Sequence, residues 1–184
     1  MIINIHGLDS SGANSKYEWM RRNAASHEIW SPDIDYRSSS PTEILDFLKS
    51  RVPEEKGDVY VVGSSMGGFF ARILNQMYPD ATAILINPAL APFIGLRAQR
   101  AQRGQIDCKG YIELAAMYAY SDDAAWRNLY VIAGDADELI DHKRVTMRML
   151  PPDFDAIYWI KGGTHQMSVF SPEIDSILRK ILRL

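Results

Sequence analysis

Apolar residues along this chain gather in short runs, separated by stretches with helical spacing. Six runs stand out: Ile2–Ile5, Ile29–Ile34, Val59–Val62, Thr82–Ile86, Leu129–Ala133 and Ala156–Ile160. Most are dense in Ile, Val, Leu and Tyr and do not alternate strictly with polar residues. A strand covered on both faces reads this way, so the runs predict a parallel sheet between two helical layers. Ile29–Ile34 is the weakest of the six. Helical patterns lie between them. Ser40-Pro41-Thr42-Glu43 carries a start signal, with Ser40 as cap, Pro41 in the first turn and Glu43 completing a capping box. Ile44, Leu45, Leu48 and Val52 then mark one face. Phe70, Ile73, Leu74 and Met77 repeat at helical spacing after the third run. Ile174, Ile177, Leu178, Ile181 and Leu182 do so at the end, behind Ser171-Pro172.

Strands alternating with helices predict one doubly wound α/β domain over residues 1–184. The stretch from 87 to 128 is too long for a plain connection. It is expected to hold two or three helices and to form a short cap.

Composition narrows the picture. A net charge of −3 lacks the basic field of a general nucleic-acid binder. One cysteine, Cys108, permits no intrachain disulfide and suits a reducing, cytoplasmic setting. Cys108 is expected to pack as a small apolar residue rather than to act as a nucleophile. The chain opens directly on Ile2-Ile3-Asn4-Ile5, without the basic start and long apolar run of a signal peptide. No stretch has the ~20 apolar residues of a membrane span. Neither secretion nor membrane insertion is expected.

The sharpest chemical signal is Gly63-Ser64-Ser65-Met66-Gly67-Gly68. It contains G-x-S-x-G with Ser65 at its centre, and lies between a predicted strand and a predicted helix. A nucleophile elbow requires that context. The glycines on either side of Ser65 remove side chains where the chain crowds itself. The alternatives are a plain Gly/Ser-rich turn or a phosphate-binding loop at a helix N-terminus, and against the latter neither G-x-x-x-x-G-K-[ST] nor G-x-G-x-x-G is present.

A serine hydroxyl needs a base, and the base needs an orienting acid. The histidines are His6, His27, His142 and His165. In the order Ser…acid…His the base comes last, which selects His165 in Gly162-Gly163-Thr164-His165. The alternative for His165 is a surface-loop residue. Asp135, Asp137, Glu138 and Asp141 all follow the fifth strand. The pattern G-x-x-D-x-x-[IV], with Gly134 and Ile140 at its ends, favours Asp137, and Asp135 is the runner-up. Two N–H donors are needed for an oxyanion. Met66 follows the nucleophile, and Leu8 lies in the loop after the first strand, beside Gly7. His6 is expected to support that loop.

Together, His6-Gly7-Leu8-Asp9-Ser10, the Gly-Ser-Ser-Met-Gly-Gly elbow, Asn87-Pro88-Ala89-Leu90 and Gly-Gly-Thr-His resemble the small bacterial YqiA/YcfP-type α/β-hydrolases. The resemblance runs over nearly the whole chain. It implies a compact α/β-hydrolase core with six strands in the order 2-1-3-4-5-6. It also implies esterase- or thioesterase-like chemistry on Ser65, Asp137 and His165. The acid loop is about two residues longer than the family's usual Gly-Asp-Glu form, so Asp135 and Asp137 both stay open.

The expected substrate is a small-molecule acyl ester or thioester, with no metal or organic cofactor. Tyr111, Leu114, Met117 and Tyr118 form a helical stripe that lines either an acyl site or the core. Arg97, Arg100 and Arg103 form either a solvated face or an anion-binding one. A non-catalytic ligand- or partner-binding protein on the same scaffold is the second reading.

Overall fold

The structure, a computed structural model, describes residues 1–53, 58–94, 106–118 and 126–184. Its elements in chain order are β1 (Ile2–Ile5), α1 (Ser15–Asn23), β2 (Ile29–Trp30), α2 (Pro41–Lys49), β3 (Tyr60–Ser64) and α3 (Met66–Met77). Then come β4 (Thr82–Ile86), α4 (Cys108–Tyr118), β5 (Leu129–Gly134), a 3₁₀ turn (Thr146–Met149), β6 (Ile157–Ile160) and α5 (Pro172–Leu182). The strands form one parallel sheet in the order β2-β1-β3-β4-β5-β6.

Near-continuous apolar strands bury both faces. Ile3, Ile5, Val61, Ala83, Leu85, Val131 and Ala133 face α2, α3 and α4. Ile2, Tyr60, Val62, Ile84, Ile86 and Ile132 face α1 and α5. The helix-start signals act as read: Ser40 and Glu43 form a capping box with Pro41 in the first turn, and the Ser171 side chain caps α5.

Two differences from the pattern have physical causes. The second run is a strand only over Ile29–Trp30. Beyond it the chain leaves the sheet, because Ile34 N–H donates to the His6 ring and Gly12 N–H binds the Asp33 carboxylate. Helix α1 is not among the elements that the apolar pattern predicts. It buries only Trp19 and Met20 and is started by Asn14, whose side chain accepts from Lys16 and Tyr17 N–H. Trp19 Nε1 donates to Asp175 and Arg179 binds the other Asp175 oxygen, which ties α1 to α5.

Strand β1 pairs with β2 on one side and β3 on the other. The winding reverses there, and the loops after β1 and β3 diverge from the carboxyl ends of the strands. Such a switch point opens a crevice at the sheet edge.

Candidate active site

Ser65 sits between β3 and α3 with φ at +50°, a region that non-glycine residues rarely occupy. Strain of this kind costs about 1–3 kcal/mol and persists only where the surroundings enforce it. Here they do. Ser65 N–H donates to Ile86 O, and its carbonyl accepts from Gly68 and Ala89 N–H. Gly67 is obligatory, since a Cβ there would lie 2.1 Å from Ile5 O.

His165 and Asp137 meet Ser65 from the far side of β4. His165 Nε2 lies 3.1 Å from Ser65 Oγ, and His165 Nδ1 lies 2.8 Å from Asp137 Oδ2. An ionised carboxylate only accepts, so Nδ1 carries the proton and Nε2 is free to accept from the serine hydroxyl. Close backbone contact makes this possible. A Cβ on Gly134 would lie 2.1 Å from Gly163 O, so the acid and histidine loops can touch only through glycine.

Asp137 is almost fully buried, with 1% of its side chain exposed. Burial pushes its pKa up. Hydrogen bonds from His142, His165 and the N–H groups of Ile140 and Leu139 outweigh that and hold it well below the usual carboxylate range. The neighbouring acids do other work. Asp135 accepts from Gly162 N–H, Glu138 accepts from His165 N–H, and Asp141 accepts from Arg144 N–H. Of the four carboxylates, only Asp137 bonds the His165 ring.

Met66 is the first residue of α3, where an N–H has no partner within the helix. Leu8 lines the cleft at Ser65, and Gly7 stands behind the serine, its ideal Cβ position 3.0 Å from Ser65 Cβ. His6 is buried. Its Nε2 accepts from Ile34 N–H, so its Nδ1–H donates to Gly7 O at 2.7 Å. Holding that carbonyl fixes the planar Gly7–Leu8 peptide, and with it the direction of Leu8 N–H.

The helical stripe does not join this site. Tyr111 and Leu114 are buried in the core, where Tyr111 packs edge-on against Phe69 and Phe70. Met117 is 73% exposed, and Tyr118 lines a small pocket over Phe69 and Trp126. The cleft of about 870 Å³ at Ser65 is lined instead mainly by polar side chains, among them Ser10, Ser11, Asn14, Lys16 and Gln166, with Leu8, Ile86 and Leu139 as apolar neighbours. Cys108 packs half-buried against the core, as expected. Arg97, Arg100 and Arg103 lie outside the described residues.

Two buried side chains add to the site without standing out in the sequence. Asn87 has φ at +44°, accepts from Gly134 N–H and donates to the carbonyls of Thr164 and His165. It thereby ties the loop after β4 to the acid and histidine loops. His142 Nε2 lies 2.9 Å from Asp137 Oδ2, the oxygen that His165 also uses. The one clue in the sequence is a histidine five residues beyond the acid, across a tight turn. Among the described residues, no group of three or more His, Cys, Asp or Glu side chains is placed to hold a metal ion, and no helix is long and apolar enough to cross a membrane.

Residues 1–181 match the model of an uncharacterised protein family, UPF0227. Among solved structures, the chain is similar to the monoacylglycerol lipase of Paleococcus ferrophilus. That match has TM-score 0.69 and 17% identity and covers 99% of this chain and 92% of the lipase. Mouse α/β hydrolase domain-containing protein 10 matches with TM-score 0.70 and 18% identity, over 99% and 87% of the two chains. Est1E from Butyrivibrio proteoclasticus, solved with ferulic acid bound, matches with TM-score 0.64 and 15% identity, over 100% and 89%. These likenesses establish an α/β-hydrolase fold.

Proposed function

The chain belongs to the UPF0227 family, the YqiA/YcfP-type group that its motifs resemble, and we propose that it is a serine hydrolase cleaving carboxylic esters or thioesters. The unbroken hydrogen-bond chain Ser65–His165–Asp137 at a strained strand-to-helix turn carries this assignment. Ser65 Oγ attacks the acyl carbonyl while His165 Nε2 takes its proton. The N–H groups of Met66 and Leu8 hold the oxyanion. His165 returns the proton to the leaving alkoxide or thiolate, which departs as the alcohol or thiol. A water, giving a proton to His165, then attacks the acyl carbon, and His165 passes that proton to Ser65 Oγ as the bond to Ser65 breaks and the acid leaves. Asp137 keeps His165 in the required tautomer throughout.

The polar cleft favours substrates with a short acyl chain and a hydrophilic alcohol or thiol portion. A single cysteine suits work in a reducing cytoplasm. The test is hydrolysis of a series of p-nitrophenyl esters, from acetate to long acyl chains, by wild type and Ser65→Ala. Wild-type turnover that is highest for short chains and lost in Ser65→Ala supports the assignment. Equal rates in the two proteins overturn it, and a rate that climbs steadily with acyl length overturns the substrate class.

A further inference from the structure

Given Ser65 as the nucleophile, as proposed above, we infer that His142 is a positioning residue that holds Asp137 in line with His165. Asp137 accepts on both oxygens. Oδ1 takes Leu139 and Ile140 N–H at 2.8 and 2.9 Å. Oδ2 takes His165 Nδ1 at 2.8 Å and His142 Nε2 at 2.9 Å. The first pair fixes one end of the carboxylate. The second end would be held by His165 alone without His142, and His165 is the group that must be free to gain and lose a proton.

His142 suits a positioning role and not a catalytic one. Its side chain is 1% exposed, so it meets no substrate. Both ring nitrogens are engaged. Nε2 must carry a proton to bond the ionised Asp137, and Nδ1 pairs with Thr146 Oγ1 at 2.7 Å. Thr146 is fully buried. Its hydroxyl, which also lies 3.5 Å from Pro88 O, anchors the His142 ring, while Asp137 decides which nitrogen of each imidazole carries the proton. The result is a hydrogen-bonded chain of five groups, Thr146–His142–Asp137–His165–Ser65, running from the buried 3₁₀ turn to the nucleophile at the cleft. A buried carboxylate oxygen with two imidazole donors is costly to assemble unless each donor is oriented, and here each one is.

A misplacement of about 1 Å at such a site can cost ~10²-fold in rate. His142→Ala should therefore lower kcat by about ten- to a hundredfold, per active site counted with a fluorophosphonate, and leave KM within about twofold. His142→Gln places an amide N–H near the position of Nε2 and should recover most of the rate. Thr146→Val removes the hydroxyl without touching Asp137 and should give an intermediate loss, which keeps the idea testable if His142→Ala does not fold. The far-downfield proton resonance of His165 Nδ1–H should be sharp in wild type and His142→Gln, and broadened or lost in His142→Ala. A loss in His142→Ala that is fully explained by fewer active sites overturns the inference, as does a His142→Gln protein no better than the alanine variant. If wild type neither hydrolyses esters nor labels, the hydrolase reading fails by itself. The resonance then decides whether His142 orders the Asp137–His165 pair, and an unchanged signal in His142→Ala overturns that too.

Discussion

Strand β4 and the residue just beyond it show two ways of burying a side chain. Ile84 and Ile86 on one face of the sheet and Leu85 on the other lie among apolar neighbours. Asn87, one residue past the strand, is as deeply buried, but its amide bonds Gly134, Thr164 and His165. The contrast recurs along the carboxyl edge of the sheet. The faces of the sheet and the helices on them are mainly apolar, with Asn4, Arg72 and Asn75 as buried polar exceptions. The carboxyl edge is polar, with His6, Asn87, His142 and Thr146 buried and Asp9, Ser65 and Asn87 at positive φ. Burying a polar group is tolerable only when its hydrogen bonds are replaced. The faces thus supply stability, and the edge uses part of it to hold a few groups in one arrangement.

Substitutions should separate the two regions. The largest effect is expected at the edge. Asp137→Asn should lower kcat by about 10⁴-fold, because the amide presents the wrong hydrogen-bonding pattern to His165. Asp135→Asn, altering a carboxylate that only braces Gly162, should cost far less. Steady-state kinetics on an activated ester, with circular dichroism to confirm folding, checks both. A loss under tenfold for Asp137→Asn would remove the edge from the chemistry.

Next comes the apolar face. Trp19→Ala should destabilise by roughly 3–5 kcal/mol in denaturant unfolding, since it empties a fully buried site and frees Asp175. Activity per folded molecule should be unchanged. A variant that keeps its stability but loses activity would contradict the division between face and edge.

A smaller effect concerns pH. Asp137 is held below its unfolded value, near 3.9. Its contribution to stability is therefore complete above about pH 4 and is lost as pH falls further toward the folded value. Wild type should lose unfolding free energy below pH 4 more steeply than Asp137→Asn. Parallel curves would mean that the carboxylate is not held as described. The smallest effect is expected at Tyr111, whose buried hydroxyl has no partner among the described residues. Tyr111→Phe should leave stability within about 1 kcal/mol of wild type, or raise it slightly.

The same contrast explains what could be read from the sequence. Strands buried on both faces write themselves as apolar runs, and each of the six runs overlaps a strand, the weakest of them only over Ile29–Trp30. The elbow is legible because its glycines keep a fixed spacing around Ser65, although Gly67 and Gly68 are required by contacts with Ile5 and Pro88, far along the chain. The juxtaposition of Ser65, Asp137 and His165 follows from chain order and strand ends. Other features are not local. Asn87 bonds groups 47 to 78 residues away, and no periodicity marks such a contact. His142 lies close to Asp137 in sequence, but only the turn decides that its ring reaches Oδ2. The stripe at Tyr111 and Leu114 announces a helix with a buried face, and spacing does not say whether that face meets the core or the cleft. Helix α1 is held by one cap and two apolar residues, too few to register as a pattern.

On the proposed function, the carboxyl edge exists to activate Ser65. Covalent labelling by a fluorophosphonate, read by intact mass and peptide mapping, tests it most directly. Wild type and Ser64→Ala should each gain one adduct, on Ser65, and Ser65→Ala should gain none. Labelling of Ser65→Ala at the wild-type rate, or a wild-type adduct on any other residue, would contradict the account.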